Sequence, residues 1–357
     1  MKTAIYTIAL NEELHAETFM NNCKDADLIL VGDTGSTDRT REIIQDMGGT
    51  VVPVCVIPWR FDVPRNVVLS LLPADIDFCM ALDLDERMSA DWRDAIDDNW
   101  RPEHNRFRFH YIHNFRDDGT PGTVGIKDFA HARGGYMWRH AVHEMLYYVG
   151  EGEEQILTLP EFVIEHRQDL KKPRAYTELL ELESKDPKTT PRHIFWLIRE
   201  YLYVKKWVEV LEFGKRFLAY EDTWNVEEAH CWRYMAKALA HLGKADDALA
   251  AHFQAIERAP REREVWMDLG WYYHGHNKWA QAYGAVCQCL SITDRPEHYL
   301  SSDEVWDHKP HELAAMNAIE LGLTAVAKEH MITAIRMSPR YPHLKALAAK
   351  MGFEDIA

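Results

Sequence analysis

Trp266-x-x-Leu269-Gly270-x-x-Tyr273, followed by Ala282 and Val286, has a counterpart 34 residues upstream at Trp232, Met235, Ala236, Leu239 and Ala248. A repeat of this length constrains the fold strongly. One copy cannot bury its own apolar face, so the copies must stack into a continuous core. Ala255 and Pro260 continue the earlier copy. A looser copy starts near Arg192 with Phe195, Ile198 and Leu202, followed by an insertion around residues 221–225. Another, from about His308, offers Ala314, Ala315, Ala318, Ala327, Ala334 and Pro339. Small residues at these places let paired helices approach closely. From about Pro191 onward the chain therefore reads as all-α, with Trp232 and Trp266 as core residues rather than ligand platforms.

The first half has a different period. Residues 3–10 (TAIYTIAL) and 27–32 (DLILVG) are apolar, β-rich runs, and further strands are expected at 50–57 and 78–82. Residues 14–23 and 41–47 lie between strands and suit helices. Such alternation predicts a parallel sheet covered on both faces, with ligands at the carboxyl ends of its strands. Asn11, Asp33 and the pair Asp83 and Asp85 all fall at such ends. In Asp83-Leu84-Asp85-Glu86, period-two geometry sends both aspartates to one side while Leu82 and Leu84 pack on the other. Two carboxylates in that arrangement suit a hard divalent cation, Mg2+ or Mn2+, which completes its shell with substrate phosphates. No GxxxxGK or GxGxxG loop occurs at the Asp33 turn, which argues against P-loop kinases and dinucleotide-dependent dehydrogenases.

Four motifs in order, IALNEE (8–13), VGDTGSTDRT (31–40), FDVPRN (61–66) and LDLDE (82–86), resemble those of the family 2 glycosyltransferases with the GT-A fold. The resemblance covers roughly residues 1–170. It implies a Rossmann-like, mainly parallel sheet and a nucleotide-sugar donor, UDP-linked by preference. It places Ala9, Asn11 and Glu13 at the first strand tip, with Asp33 on the uracil or ribose, Asp83 near the ribose, and Arg65 and Asn66 lining the pocket. Asp85 is implied as metal ligand for Mn2+ or Mg2+, with His166, closing the run 163–166, as the distal ligand. In Trp138-x-x-x-Val142-His143-Glu144, the resemblance implies Glu144 as the base for the acceptor hydroxyl, supported by His143. Apolar and aromatic neighbours would raise its proton affinity. The commoner adjacent Glu-Asp pair is missing. Lys127 and Arg133 lie in the Gly-rich stretch 122–135, read as a loop able to close over the diphosphate.

The repeats resemble tetratricopeptide repeats, about four of them, whose surface implies a protein or peptide acceptor, another partner or a homodimer contact. The expected organisation is a GT-A domain at 1–170, a helical linker at 171–191 and a repeat solenoid at 192–357: α/β plus all-α. Glycan assembly remains an alternative acceptor class, and a nucleotide-binding pseudoenzyme with a repeat scaffold an alternative function.

Composition bounds the remainder. The 357 residues suffice for two cores, and the formal charge of -16 argues against nucleic acid as the main ligand. The six cysteines form no CxxC pair and read as reduced residues of a cytoplasmic protein. No signal peptide or long apolar span is apparent.

Overall fold

The computed structural model describes residues 1–116, 119–167 and 176–356. The chain divides into two compact units, Met1–Pro187 and Lys188–Ala357. Lys171, Lys172 and Pro173 of the expected linker lie outside the described residues.

The first unit contains β1 (Thr3–Ala9), α1 (Glu13–Cys23), β2 (Leu28–Asp33), α2 (Thr40–Asp46), β3 (Thr50–Pro53), α3 (Asp62–Leu71), β4 (Phe78–Ala81) and β5 (Glu86–Met88). It continues through α4 (Trp92–Asn99), β6 (Arg106–Ile112), β7 (Val124–Ala132), β8 (Tyr136–Arg139), β9 (Met145–Tyr148), β10 (Ile156–His166) and α5 (Thr177–Glu183). Eight strands form one sheet in the order β3-β2-β1-β4-β7-β6-β10-β5, and β8 pairs with β9.

β1 is buried along nearly its whole length, as a central parallel strand requires. Ile5 and Ala9 pack with Phe19, Ile44 and Trp92 from α1, α2 and α4. Ala4 and Tyr6, one step out of phase, pack with Val68 and Leu69 of α3 and Trp138 of β8. Gly32 is needed on β2 because a Cβ there would meet Val68 Cγ2 at 2.4 Å, so only a bare backbone lets α3 lie this close.

The chain runs outward from β1 through β2 to β3, then returns to β4 on the other side of β1, all in parallel. The reversal places a topological switch point at the carboxyl ends of β1 and β4, the position where open sheets of this kind bind ligands. Beyond β4 the expected parallel character ends. β7 runs antiparallel to both β4 and β6, and β5 antiparallel to β10, so the sheet is mixed. Among its described residues the connection from β6 to β7 carries no crossover helix, and such a connection joins antiparallel neighbours. The Gly-rich stretch read as a loop is therefore largely strand β7, at the heart of the sheet. The α5 helix, expected in a linker, belongs to the first unit, where Glu183 is 1% exposed.

The second unit is an array of helix pairs: α6 (Pro191–Tyr203) with α7 (Trp207–Leu218), α8 (Asn225–His241) with α9 (Ala245–Arg258), α10 (Arg263–Gly275) with α11 (Trp279–Ser291), and α12 (Lys309–Glu320) with α13 (Thr324–Met337), then α14 (Pro342–Lys350). α11 begins 34 residues after α9. The interval from α7 to α9 is 38 residues, the excess lying in the longer helix α8, and that from α11 to α13 is 45, the excess lying in the connection before α12. All four hairpins turn through a left-handed residue: Lys205, Gly243, Asn277 and Gly322, at φ 59, 74, 56 and 73°. The next N–H then reaches back five residues, from Lys206 to Tyr201, Lys244 to Leu239, Lys278 to Tyr273 and Leu323 to Ala318, each at 2.9 Å. This is the Schellman closure of a helix end, made four times.

Candidate functional site

The tips of β1 and β2 are laced together. Ala9 ends β1, and its carbonyl accepts from the Thr34 N–H at 2.9 Å and the Thr34 hydroxyl at 3.0 Å. Asn11, at φ 53°, accepts through Oδ1 from the Thr37 N–H at 2.8 Å. The Glu13 N–H donates to Asp38 Oδ2 at 3.1 Å, while Glu13 Oε2 accepts from the Arg39 N–H at 3.0 Å. Asp33 is 3% exposed and accepts from the N–H groups of Gly35 and Ser36 at 3.2 Å, with Arg41 Nε 3.8 Å away. Asp33 thus shapes its own turn, and Gly35 at φ 115° supplies the backbone angle the turn needs. Of the four side chains implied at these two strand tips, Asn11, Glu13 and Asp33 are engaged in this lacing and Ala9 is buried beneath it.

A charged cluster follows the carboxyl end of β4. Arg65 projects from α3 and is 8% exposed. Its guanidinium donates to Asp83 at 2.9 and 3.1 Å and to Glu144 Oε1 at 2.6 Å, and it lies 5.1 Å from the Trp138 ring centroid. Burial opposes its charge, but the two carboxylates outweigh that and hold it firmly cationic. Asp83 is additionally 3.4 Å from the Thr7 hydroxyl. In place of the apolar neighbours expected around Glu144, its carboxylate faces a guanidinium.

Glu144 is delivered there by an orderly support. Asn66 pairs with the Trp138 backbone in both directions, at 2.8 and 2.9 Å, so it extends the edge of β8 rather than lining a pocket. Trp138 Nε1 donates to Tyr6 Oη at 2.9 Å, and Tyr6 Oη pairs with His131 Nε2 at 2.9 Å. His131 Nδ1 lies 2.7 Å from the Ala132 carbonyl, so Nδ1 carries the proton and Nε2 accepts from Tyr6. Burial pushes the His131 ring down to about 3, keeping it neutral. The turn that follows passes through His140 and His143 at φ 83 and 52° and is clamped by Glu183, which pairs with His140 Nδ1 at 2.8 Å and accepts the Ala141 N–H at 2.7 Å. His143 itself stands against the Tyr176 ring, centroids 5.4 Å apart.

Asp85 and His166 meet across the strand ends, Oδ2 to Nε2 at 3.2 Å, each about a quarter exposed. Burial opposes both charges, yet their mutual hydrogen bond prevails and moves Asp85 down and His166 up from their usual ranges. Beneath them lies Glu86, 5% exposed, which accepts from the Asp83 N–H at 2.9 Å and the Tyr111 hydroxyl at 2.5 Å. Burial first, and then the Asp83 charge, pushes its carboxyl up to about 7. Lys127 stands over Tyr111, 5.2 Å from the ring centroid, so it does belong at this end of the sheet.

Arg133 does not. It follows the end of β7 that pairs with Phe78 at the start of β4, and its guanidinium donates to the Leu72 carbonyl at 2.7 Å, capping α3 at the opposite edge. The antiparallel course of β7 separates it from Lys127. Glu86, Tyr111 and Glu183 had no role assigned from the sequence. The alternation of Phe107, Phe109 and Tyr111 on β6 could have marked Tyr111 as inward-facing; nothing local pairs Glu183 with a turn more than 40 residues away.

A divalent ion fits the donor set of Asp85 and His166. Their 3.2 Å separation is close to the edge of an octahedron with bonds of about 2.1 Å. One carboxylate with one imidazole favours Mn2+ over Mg2+.

No protein-family model and no curated protein matches the chain. Among solved structures, a thermophilic TPR protein of Thermus thermophilus is similar at 18% identity and TM-score 0.37, over 49% of this chain and 88% of that one. MamA gives 16% identity and TM-score 0.36 over 49% and 89%, and pilF of Pseudomonas aeruginosa 13% and 0.39 over 46% and 68%.

Proposed function

We propose that the first unit is a metal-dependent, inverting glycosyltransferase of the GT-A type, using a nucleotide-sugar donor, UDP-linked by preference. One observation carries this reading. Asp83, held by Arg65 beside Glu144, follows the carboxyl end of β4 next to the sheet's switch point, where open α/β sheets bind ligands, and Asp85, two residues on, pairs with His166 at the end of β10.

In this reading Asp85 and His166 hold Mn2+ or Mg2+, which supplies positive charge against a departing diphosphate. Asp83, partly exposed, faces the ribose, and the tips of β1 and β2 form the base pocket. Glu144 removes the proton from the acceptor hydroxyl as its oxygen attacks the anomeric carbon, and the bond to the diphosphate breaks with its electron pair. Arg65 orients both carboxylates, and Lys127 adds positive charge at the diphosphate end. The helical repeats, of tetratricopeptide type, recruit a protein or peptide acceptor or join two copies of the chain. The unpaired thiols of the described residues support a cytoplasmic setting, and no described helix is long and apolar enough to cross a membrane.

The test is Glu144→Gln. Transfer should fall by roughly 100-fold or more while nucleotide binding persists, and normal transfer would remove Glu144 from this role. The occupied state of Glu144, bound to Arg65, also favours a second reading in which the unit binds nucleotide without transferring sugar. Slow donor hydrolysis by the wild type, absent in Asp85→Ala, would decide for the enzyme.

A further inference from the structure

We propose that the helical-repeat unit carries a zinc site formed by His308, Glu312 and His343. His308 caps the start of α12, Glu312 lies four residues on in its first turn, and His343 sits in the first turn of α14. His308 Nε2 is 3.8 Å from one Glu312 oxygen and His343 Nε2 is 3.5 Å from the other. The three donor atoms lie within 4.8 Å of one another. Bonds of about 2.0–2.1 Å to a tetrahedral ion place neighbouring donors roughly 3.4 Å apart, so only small side-chain adjustments close the set.

A second observation points the same way. His308 is 3% exposed, and its Nδ1 lies 3.3 Å from Asp307 Oδ2, paired with that carboxylate but off ideal hydrogen-bond geometry. Asp307 is itself held by the Ser338 hydroxyl. A carboxylate behind the outer nitrogen of a ligating imidazole is the arrangement that orients histidine toward zinc. A small rotation of the ring satisfies Asp307 with Nδ1–H while Nε2 turns to the ion. Glu312 and Asp307 also offset the positive ends of α12 and α14, which meet here. Two imidazoles and a carboxylate leave a fourth position for water, reachable because the His343 side chain is 52% exposed. An ion here ties α14 to the start of α12.

The test uses the full chain, freed of metal with a chelator, titrated with Zn2+ by calorimetry and with Co2+ by visible absorption. Asp85→Ala serves as the control, because the first unit has its own candidate metal ligands. The expected result is a zinc-binding event retained in Asp85→Ala, weakened at least tenfold in His343→Ala and Glu312→Gln, and roughly 10–100-fold in Asp307→Asn. Cobalt should give the visible bands of a low-coordinate site, lost in the same variants. His343 is exposed and Glu312→Gln is isosteric, so both variants keep the fold by circular dichroism. Binding unchanged in both variants, no binding by the wild type, or loss in Asp85→Ala alone would overturn the proposal.

Discussion

Arg65 shows how a single side chain can organise a site. A guanidinium that is nearly fully buried survives because two carboxylates and an aromatic face surround it, and removing either partner would leave buried charge uncompensated. Its identity as a site residue was legible in the FDVPRN motif; its bridging role was not, because Asp83 and Glu144 reach it from distant stretches of chain. Glu86 illustrates the reverse. It stood in view in the acidic tetrad, but only burial under Tyr111 sets its chemistry. Its folded-state value of about 7 lies above the ordinary 4.5, so the folded state holds the proton more tightly than the unfolded one. Stability from this group is present below about pH 4.5 and is lost as pH rises through about 7. Glu86→Gln keeps an acceptor for the Asp83 N–H and turns its amide toward Tyr111. Thermal melts at about pH 5 and pH 8 should show the wild type losing more stability than the variant over that interval. Parallel losses would contradict the assignment.

At the scale of elements, the strands and helices up to β4 follow from apolar runs and their breaks, within a residue or two, except that β3 ends at Pro53 rather than near 57 and the helix α3 that carries the FDVPRN motif was not foreseen. The strands from β5 to β10 were not legible. β6 and β7 alternate polar and apolar residues with interruptions, and pairing partners in a mixed sheet are fixed by contacts far apart in sequence. Helix pairs were far easier to see, since Ala, Leu and aromatic spacing repeats locally. Their turns carry a signal that only the structure makes plain. Gly243 and Gly322 occupy a left-handed position that costs an ordinary residue about 1–2 kcal/mol; Lys205 fills the same position at that cost, and Asn277, whose short polar side chain tolerates it, at less. Lys205→Gly should therefore stabilise the chain by roughly 0.5–1 kcal/mol, and Gly243→Ala should destabilise it by about 1 kcal/mol, as read by denaturant unfolding. A destabilising Lys205→Gly would mean that the lysine side chain matters more than its backbone angle.

For the molecule as a whole, each compact unit owns its core, with the sheet's two apolar faces in one and the stacked helix pairs in the other. A chain ending at Pro187 should fold, bind nucleotide and hydrolyse donor, while losing efficient transfer to the natural acceptor. Full acceptor use by that fragment would take the recruiting role away from the repeats. The central claim is the metal-dependent nucleotide site between β1 and β4, and it is tested most directly by calorimetric titration of the full chain with UDP, GDP and dTDP, with and without Mn2+, beside Asp85→Ala. Because His166 is held above its ordinary 6.5 and must shed its proton to ligate, metal-dependent binding should strengthen from about pH 6 to pH 8. UDP should bind only in the presence of Mn2+, and that binding should disappear in Asp85→Ala; no metal-dependent binding of any nucleotide, or binding unchanged in that variant, would contradict the proposed site.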